Sequence, residues 1–267
     1  HRVTVFEQAQ TVGGKLGRFA RDGFLFDTGP SLFTLPQVAA ELVDLDLVRL
    51  DPVVRHRFAD GSTIDTTEDF ASALGPDAAE DWQRLWKRAQ RVWETSWRHV
   101  LTSTVDSPLR IATLAWRLPD LAAIAPGRTL RGIGRRHLRD SRLRMLLDRY
   151  ATYAGADPRR APAALLAIPY AELHYGGWYL RGGLGTLADA LLARCRDLGV
   201  RIELGAPVTA IGTAGSAVSG VRLADGAFVA ADLVVSNADA LQVYRDLLPT
   251  PRRAAPLRER CLGGFVL

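Results

Sequence analysis

Val3-Thr4-Val5-Phe6-Glu7, followed after five residues by Gly13-Gly14-Lys15 and then by Phe26-Asp27-Thr28-Gly29-Pro30-Ser31, decides how this chain is read. Residues 3 to 6 are β-branched or aromatic, which suits a buried parallel strand ending at Glu7. A carboxylate at the tip of such a strand can accept two hydrogen bonds from a ribose diol. Glycines just beyond it let backbone approach a dinucleotide without a clashing Cβ. The spacing alone also fits an ordinary strand and surface turn, and Gly29-Pro30-Ser31 weighs against that by adding a second tight bend near the first. In a dinucleotide-binding unit the Gly-rich phosphate loop lies about 20 residues before the acidic residue, so that loop is expected ahead of residue 1.

The 267 residues, 48% of them apolar, can bury a sizeable core as one large domain or two to three small ones. Cys195 and Cys261 make no disulfide framework and have no ligand spacing, so a reducing, cytoplasmic setting is expected. No run approaches the ~20 apolar residues of a spanning helix, and the first residues lack the basic-then-apolar pattern of a signal peptide. The start at His1 directly before an apolar strand, and the last run Gly263-Gly264-Phe265-Val266-Leu267, read as a piece truncated at both ends.

Charge is uneven. Between Trp82 and Arg144 fourteen Lys and Arg stand against four Asp and Glu, a local surplus of ten where the whole chain carries +5. Such a surplus points to an anionic surface, lipid or nucleic acid, against the plainer reading of a solvated Arg-rich face. In a helix of about 100° per residue, Trp82, Trp86, Trp93 and Trp97 fall on one face and Lys87, Arg91 and Arg98 on the opposite one. That helix could lie in a lipid interface, although packing of the tryptophans on the rest of the protein is the favoured reading for it. The later segment Leu109 to Leu130, with Ile111, Leu114, Trp116, Leu118, Leu121 and Ile124, is better suited to lipid.

Pro36 opens a helical pattern through Val38, Leu42 and Leu45. Asp60-Gly61 and Asp225-Gly226 sit between extended runs and predict hairpins. From about Asp77 to Tyr150 the pattern is helical, with breaks at Pro108, Pro119 and Pro126-Gly127. A helix is predicted from Thr186 to Leu198, stopped by Gly199. Extended segments follow at Arg201 to Leu204, at Val208 to Ile211 and in the run Ala231 to Asn237.

Other constellations fail. Gly14-Lys15 lacks the remaining glycine and the Ser or Thr of a P-loop, with Ala9 and Leu16 in those places. Arg181-Gly182-Gly183-Leu184-Gly185-Thr186 has the wrong spacing for a dinucleotide fingerprint and reads as a helix N-terminus facing an anion or a domain joint. The five histidines show no ligand spacing, no G-x-S-x-G or Cys-x-x-Cys occurs, and no metal is nominated. His174 beside Tyr170, Tyr175 and Tyr179 reads as a structural aromatic cluster before it reads as a pocket wall.

Taken in order, these residues resemble the FAD-dependent phytoene desaturases of bacterial and fungal carotenoid synthesis, within the wider flavin amine oxidase-like group. The resemblance covers essentially the whole chain. It runs through Val3 to Glu7 with Gly13-Gly14, Gly23 to Ser31, Tyr153-Ala154-Gly155-Ala156-Asp157-Pro158, Gly177-Trp178-Tyr179-Leu180-Arg181-Gly182-Gly183-Leu184-Gly185, and Val235-Ser236-Asn237-Ala238-Asp239. The Trp-Tyr-x-Arg-Gly-Gly-x-Gly and Ser-Asn-Ala-Asp blocks are the specific ones.

The resemblance implies an α/β fold: an incomplete FAD/NAD(P)-binding Rossmann-like domain, an antiparallel-sheet substrate domain and an inserted helical domain. The FAD-binding parts are expected at 1–50 and 181–243, and the substrate-domain hairpin and strand at 51–76 and 161–180. The helical, membrane-facing domain is expected at 77–160, and the start of a return to the substrate domain at 244–267. It also implies that Glu7 holds the adenosine ribose and that Gly13, Gly14 and Lys15 line the pyrophosphate and flavin side, and Gly29, Pro30 and Ser31 are expected among the cofactor-binding residues. Val208 would contact adenine through its backbone, and Asn237, Ala238 and Asp239 would close the site. Lys15 departs from the family's commoner Arg, so a point charge replaces a bidentate fork. The Gly loop and the C-terminal stretch that complete the flavin pocket fall outside residues 1–267, so the chain alone is expected to bind FAD weakly or not at all. The implied activity is desaturation of an acyclic, phytoene-like carotene by hydride transfer to FAD, in the cytoplasm at the inner face of the cell membrane. Its partners are then a carotene and a membrane surface, with no nucleic acid. The competitors are a same-fold isomerase, ketolase or amine oxidase and, from another class, a non-enzymatic basic binding module.

Overall fold

The structure is a computed structural model that describes residues 1–67, 69–103, 118–215 and 217–248. In chain order its elements are β1 (Thr4–Phe6), β2 (Arg18–Arg21), β3 (Phe24–Asp27), α1 (Pro36–Ala40), β4 (Leu47–Arg49), β5 (Arg55–Arg57), β6 (Thr63–Asp65), α2 (Pro76–Ser96), α3 (Leu118–Ile124), α4 (Leu130–His137), α5 (Ser141–Arg149), α6 (Ala167–Tyr175), β7 (Trp178–Leu180), α7 (Gly185–Asp197), β8 (Arg201–Glu203), β9 (Val208–Ala214), β10 (Ala217–Leu223), β11 (Phe228–Ala230) and α8 (Ala240–Gln242). Among the described residues two compact units emerge: one comprises 1–31, 37–47 and 180–248, the other 32–36 and 48–179.

In the first unit β1 pairs in parallel with β8, Val5 opposite Ile202. Parallel strands need a long crossover, and α7 leads into β8 through Gly199. That glycine stands at φ 72°, with its N–H on Arg196 O and the Val200 N–H on Cys195 O, a glycine-stopped helix end of the kind the sequence predicts. Strands β2 and β3 form an antiparallel hairpin, and β9, β10 and β11 form an antiparallel sheet whose last turn carries Asp225-Gly226. There Asp225 Oδ1 accepts the Ala227 N–H at 2.9 Å and Gly226 sits at φ 90°. The strand at residues 3 to 6 is present but not buried: Val3 and Val5 are 44% and 41% exposed, since β1 has one neighbour strand among the described residues. The run 231–237 forms no strand, and its Leu233 and Val235 are open to solvent. The predicted helix from Pro36 ends early, at Ala40. The Leu42 and Val43 N–H groups both turn back to Ala39 O, and Asp46, bonded through its carbonyl and carboxylate to Arg181, draws the chain into β4.

The second unit holds the main core. The hairpin β5–β6 turns at Asp60-Gly61, where Asp60 Oδ1 accepts both the N–H and the hydroxyl of Ser62. Helix α2 buries Trp82, Leu85, Ala89, Val92 and Trp93 on one stripe. That stripe meets the core formed by α4, α5, α6 and the turns between them. Phe70 stands edge-on to Trp82, Trp86 lies against Tyr170, and Trp93 packs with Trp97 and Tyr175. The tryptophan face therefore belongs to the core, as favoured for this helix, and is not offered to lipid. Pro119 does not break a helix but sits in the first turn of α3, where the N–H it lacks has no helical partner. Residues 163–175, expected within a strand region, are helical, and only Trp178–Leu180 is extended. Pro108, Ile111, Leu114, Trp116, Cys261 and the run 263–267 lie outside the described residues. No described helix is long and apolar enough to cross a membrane.

Candidate functional site

Glu7 leaves β1 with its backbone tied on both sides: its N–H donates to Glu203 O and its carbonyl accepts the Ala206 N–H, each at 2.9 Å. The side chain is half-buried, and Oε1 accepts the Ala9 N–H at 2.8 Å. An ionised carboxylate has about four acceptor sites. With Ala9 as its one protein donor among the described residues, Glu7 keeps acceptor capacity for a ligand hydroxyl.

The diglycine turn follows. Gly13 stands at φ 110° and Gly14 at φ 52°, in the half of backbone space that side chains avoid. Their tasks differ. A Cβ on Gly13 would come to 3.0 Å from the Ala188 Cβ of α7, whereas the same position on Gly14 has nothing within 4 Å. One glycine admits the helix and the other leaves a bare face over the turn.

Gly29 lies so close to the Lys15 carbonyl oxygen that no Cβ fits between them. One register along, the Thr28 N–H donates to Gly17 O at 2.9 Å, and Thr28 Oγ1 occupies the space a Gly17 side chain would need. The two bends singled out in the sequence thus touch through backbone. Lys15, Pro30 and Ser31 are exposed beside them. Val208 opens β9, half-buried and opposite Leu223. Asn237, Ala238 and Asp239 form an exposed bend at the entrance of α8, where the Ala238 N–H reaches Ser236 Oγ at 3.3 Å and Asp239 O accepts the Val243 N–H. Lys15 and Gly29 are joined directly, Gly13 stands in the same turn as Lys15, and Glu7, Val208 and Asn237–Asp239 stand on separate local elements of the same unit.

A further set of residues holds this arrangement; some of them stand in the stretches quoted from the sequence, but none was assigned to the cofactor site. Asp27, at the end of β3, accepts the Leu184 N–H on Oδ2 at 3.0 Å, at the start of α7. A carboxylate is favoured there by the exposed N–H groups and dipole of the helix. Its Oδ1 is buried without a hydrogen-bond partner among the described residues, and it would stand 2.8 Å from a Cβ on Gly183, which is at φ 92°. Arg18 on β2 crosses Gly185 and pairs with Asp189 at 2.7 Å. The helix N-terminus, expected to face an anion or a domain joint, faces the chain's own Asp27. The signal was the absence of Cβ at Gly183 and Gly185, but no spacing says which of the chain's carboxylates fills the gap.

The second unit carries a buried acid. Glu172, 1% exposed, accepts the Tyr150 hydroxyl at 2.8 Å and the Tyr153 hydroxyl on its other oxygen, with Arg149 at 3.4 Å. Burial, with the Glu172 charge and hydrogen bonds, pushes both phenols up, so they stay protonated as donors. The Tyr153 to Pro158 block therefore latches a helix end, where Gly155 at φ 57° closes the turn. Nearby, His174, Tyr170 and Tyr175 line a cavity of about 470 Å³ together with Trp93 and Trp97, so the expected aromatic cluster is also a pocket wall. His174 stacks on Tyr170 at 4.8 Å, while Tyr179 is exposed.

Residues 1–261 match the family described as flavin containing amine oxidoreductase. The chain belongs to that family. Its curated relatives include a phytoene dehydrogenase of Streptomyces griseus, 35% identical over 96% of this chain and 53% of the relative. A hydroxyneurosporene desaturase of Cereibacter sphaeroides is 34% identical over 99% and 57%. A 4,4'-diapolycopene oxygenase of Methylomonas is 30% identical over 93% and 53%. The chain thus spans about half the length of the curated relatives it matches. Among solved structures, an oxidoreductase from Methanosarcina mazei aligns with a TM-score of 0.66 at 20% identity, over 92% of this chain and 56% of that one. Putrescine oxidase bound to putrescine aligns with a TM-score of 0.61 at 17% identity, over 94% and 56%. At such identities the likeness shows the fold alone. The flavin amine oxidoreductase fold is the α/β fold the sequence implied, and its cofactor is FAD.

Proposed function

We propose that this chain forms the adenosine-side cradle and the helical unit of an FAD-dependent oxidoreductase that dehydrogenates an acyclic, phytoene-like carotenoid. The observation that carries the reading is the 35% identity to a phytoene dehydrogenase along 96% of the chain. It is supported by a turn whose free face suits a dinucleotide. The Glu7 carboxylate, with acceptor capacity to spare, takes the ribose hydroxyls. Gly13 and Gly14 let the pyrophosphate approach backbone, and Lys15 offers it a positive charge. Gly29, Pro30 and Ser31 brace that turn, Val208 offers backbone to the adenine, and Asn237, Ala238 and Asp239 close the site from α8. Bound FAD supplies the two-electron acceptor that no side chain provides. What the protein itself contributes is position and dryness. A hydrocarbon has no hydrogen-bonding handle, so its recognition rests on apolar area at ~25 cal/mol per Å². Such a substrate is taken from a membrane, and the reading includes a place in the cytoplasm against the inner face of the cell membrane.

A second reading keeps the site and changes the outcome: oxygenation at the end of the same polyenes, favoured by the relatives named as oxygenases. Expression of the protein in cells that accumulate phytoene decides between them. Longer conjugated polyenes without added mass from oxygen support desaturation and oxygenated products support the second reading; unchanged phytoene, with FAD bound to the expressed protein, rejects desaturation.

A further inference from the structure

We infer that the pocket between α4 and α5 binds the phosphate of an anionic phospholipid and docks the helical unit on a membrane surface. The pocket, about 220 Å³, is lined by Arg131 and Arg135, one helical turn apart on α4, and by Ser141, Arg144, Met145 and Asp148 on α5. At roughly 30 Å³ per water it has room for about seven waters, enough for a hydrated phosphodiester.

Its charge is not balanced from within. Asp148 is taken by Arg131 at 2.8 Å, and Asp140, at the head of α5, by Arg142 at 2.7 Å. Arg139 is occupied by Asp77, Glu80 and Asp81. Among the described residues Arg135 has no carboxylate partner, and the Arg144 guanidinium bonds only the Arg139 carbonyl, at 3.2 Å. Two guanidinium forks thus share a concavity whose one carboxylate, Asp148, is taken by Arg131, in the stretch that carries the local surplus of ten positive charges. Guanidinium matches phosphate oxygens in pairs.

Lipid is favoured over nucleic acid by two observations. Met145, on the wall beside Arg144, is 58% exposed, an apolar side chain suited to the interface just below headgroups. The tryptophans that could have stacked bases are packed in the core instead. The inference deepens the membrane placement proposed above and is separable from its redox chemistry: lipid binding needs neither flavin nor substrate, so flotation can fail while the redox reading stands.

The test is flotation of the 267-residue chain with vesicles of phosphatidylcholine alone and with about 30 mol% phosphatidylglycerol. Binding is expected on the anionic vesicles and not on the neutral ones. Arg135→Gln and Arg144→Gln should each weaken it about five-fold, and Arg194→Gln, the same charge change on α7, less than about two-fold. Met145→Ser should weaken it too. Arg135 is exposed and unpaired, so its substitution leaves folding intact. Arg135→Lys, which keeps charge but loses the fork, should fall between wild type and Arg135→Gln. Equal losses in all three Arg→Gln variants, equal binding to neutral vesicles, capture of inorganic phosphate without vesicle binding, or tighter binding to duplex DNA at the same salt would each overturn the inference.

Discussion

Gly29 and Gly14 are both glycines for reasons that substitution can separate. At Gly29 an added methyl meets the Lys15 carbonyl, so the bend must open. At Gly14 the methyl meets nothing and only the φ of 52° resists it. Gly29→Ala is expected to cost about 3 kcal/mol in urea unfolding, and Gly14→Ala about 1 kcal/mol. Equal losses would mean that the two bends are not in contact. Asp81 gives a test by pH. Its side chain is buried against Arg139 and Arg84, and these hydrogen bonds hold the carboxyl down at about 2, from an ordinary 3.8. A depressed carboxyl stabilises the fold fully above its unfolded value and loses that contribution as pH falls toward the folded one. The arginines are more than half exposed, which screens the pairs. Asp81→Asn should therefore cost about 1–2 kcal/mol at neutral pH, and its gap to wild type should close between about pH 4 and pH 2. Urea midpoints across that range check it, and a gap that persists at the acid end rejects the assignment.

At the scale of elements, the most legible parts were those in which one local rule decides. Asp-Gly set both hairpins, Gly199 stopped α7, and alternating branched residues marked β1. The illegible parts depend on partners distant in sequence. Run 231–237 has the composition of a strand but no neighbour to pair with among the described residues, and α1 stops because Asp46 is bound by Arg181, more than a hundred residues on. The Asp27 clamp was hidden for the same reason: Asp27 and Leu184 are separated by 157 positions. Periodicity found the tryptophan stripe of α2 but could not say what covers it, since lipid and core both accept indole. The structure gives the core, and this has a measurable consequence. Trp93→Ala removes a ring packed on Tyr175 and Trp97 and should cost about 3–5 kcal/mol. Lys87→Gln on the opposite, exposed face should change stability by less than about 0.5 kcal/mol. A small loss from Trp93→Ala would return that helix to the surface.

For the molecule as a whole, the uneven division of the core sets the order of unfolding. The contiguous buried cluster runs from Ile64 to Ala171 and lies wholly in the second unit. The first unit buries only a few large side chains, among them Leu180, Leu184, Ile211 and Val221, and leaves Phe19, Phe24, Leu25, Phe26, Leu233 and Val235 about half exposed or more. Less apolar area removed from water means less to set against chain entropy. The first unit should therefore melt at lower denaturant, and the protein should depart from two-state behaviour. All six tryptophans lie between positions 82 and 178 of the sequence, none in the first unit and five of them among the described residues of the second, so indole emission reports on the second unit while circular dichroism reports both. The dichroism midpoint is expected to precede the emission midpoint. FAD bound at Glu7 and the diglycine turn should raise only the earlier transition, by about 1.4 kcal/mol at ten times its dissociation constant. Glu7→Gln should diminish that rise without moving the emission curve. Coincident midpoints would show one cooperative body, and a flavin effect on the emission curve would place the cofactor on the wrong unit.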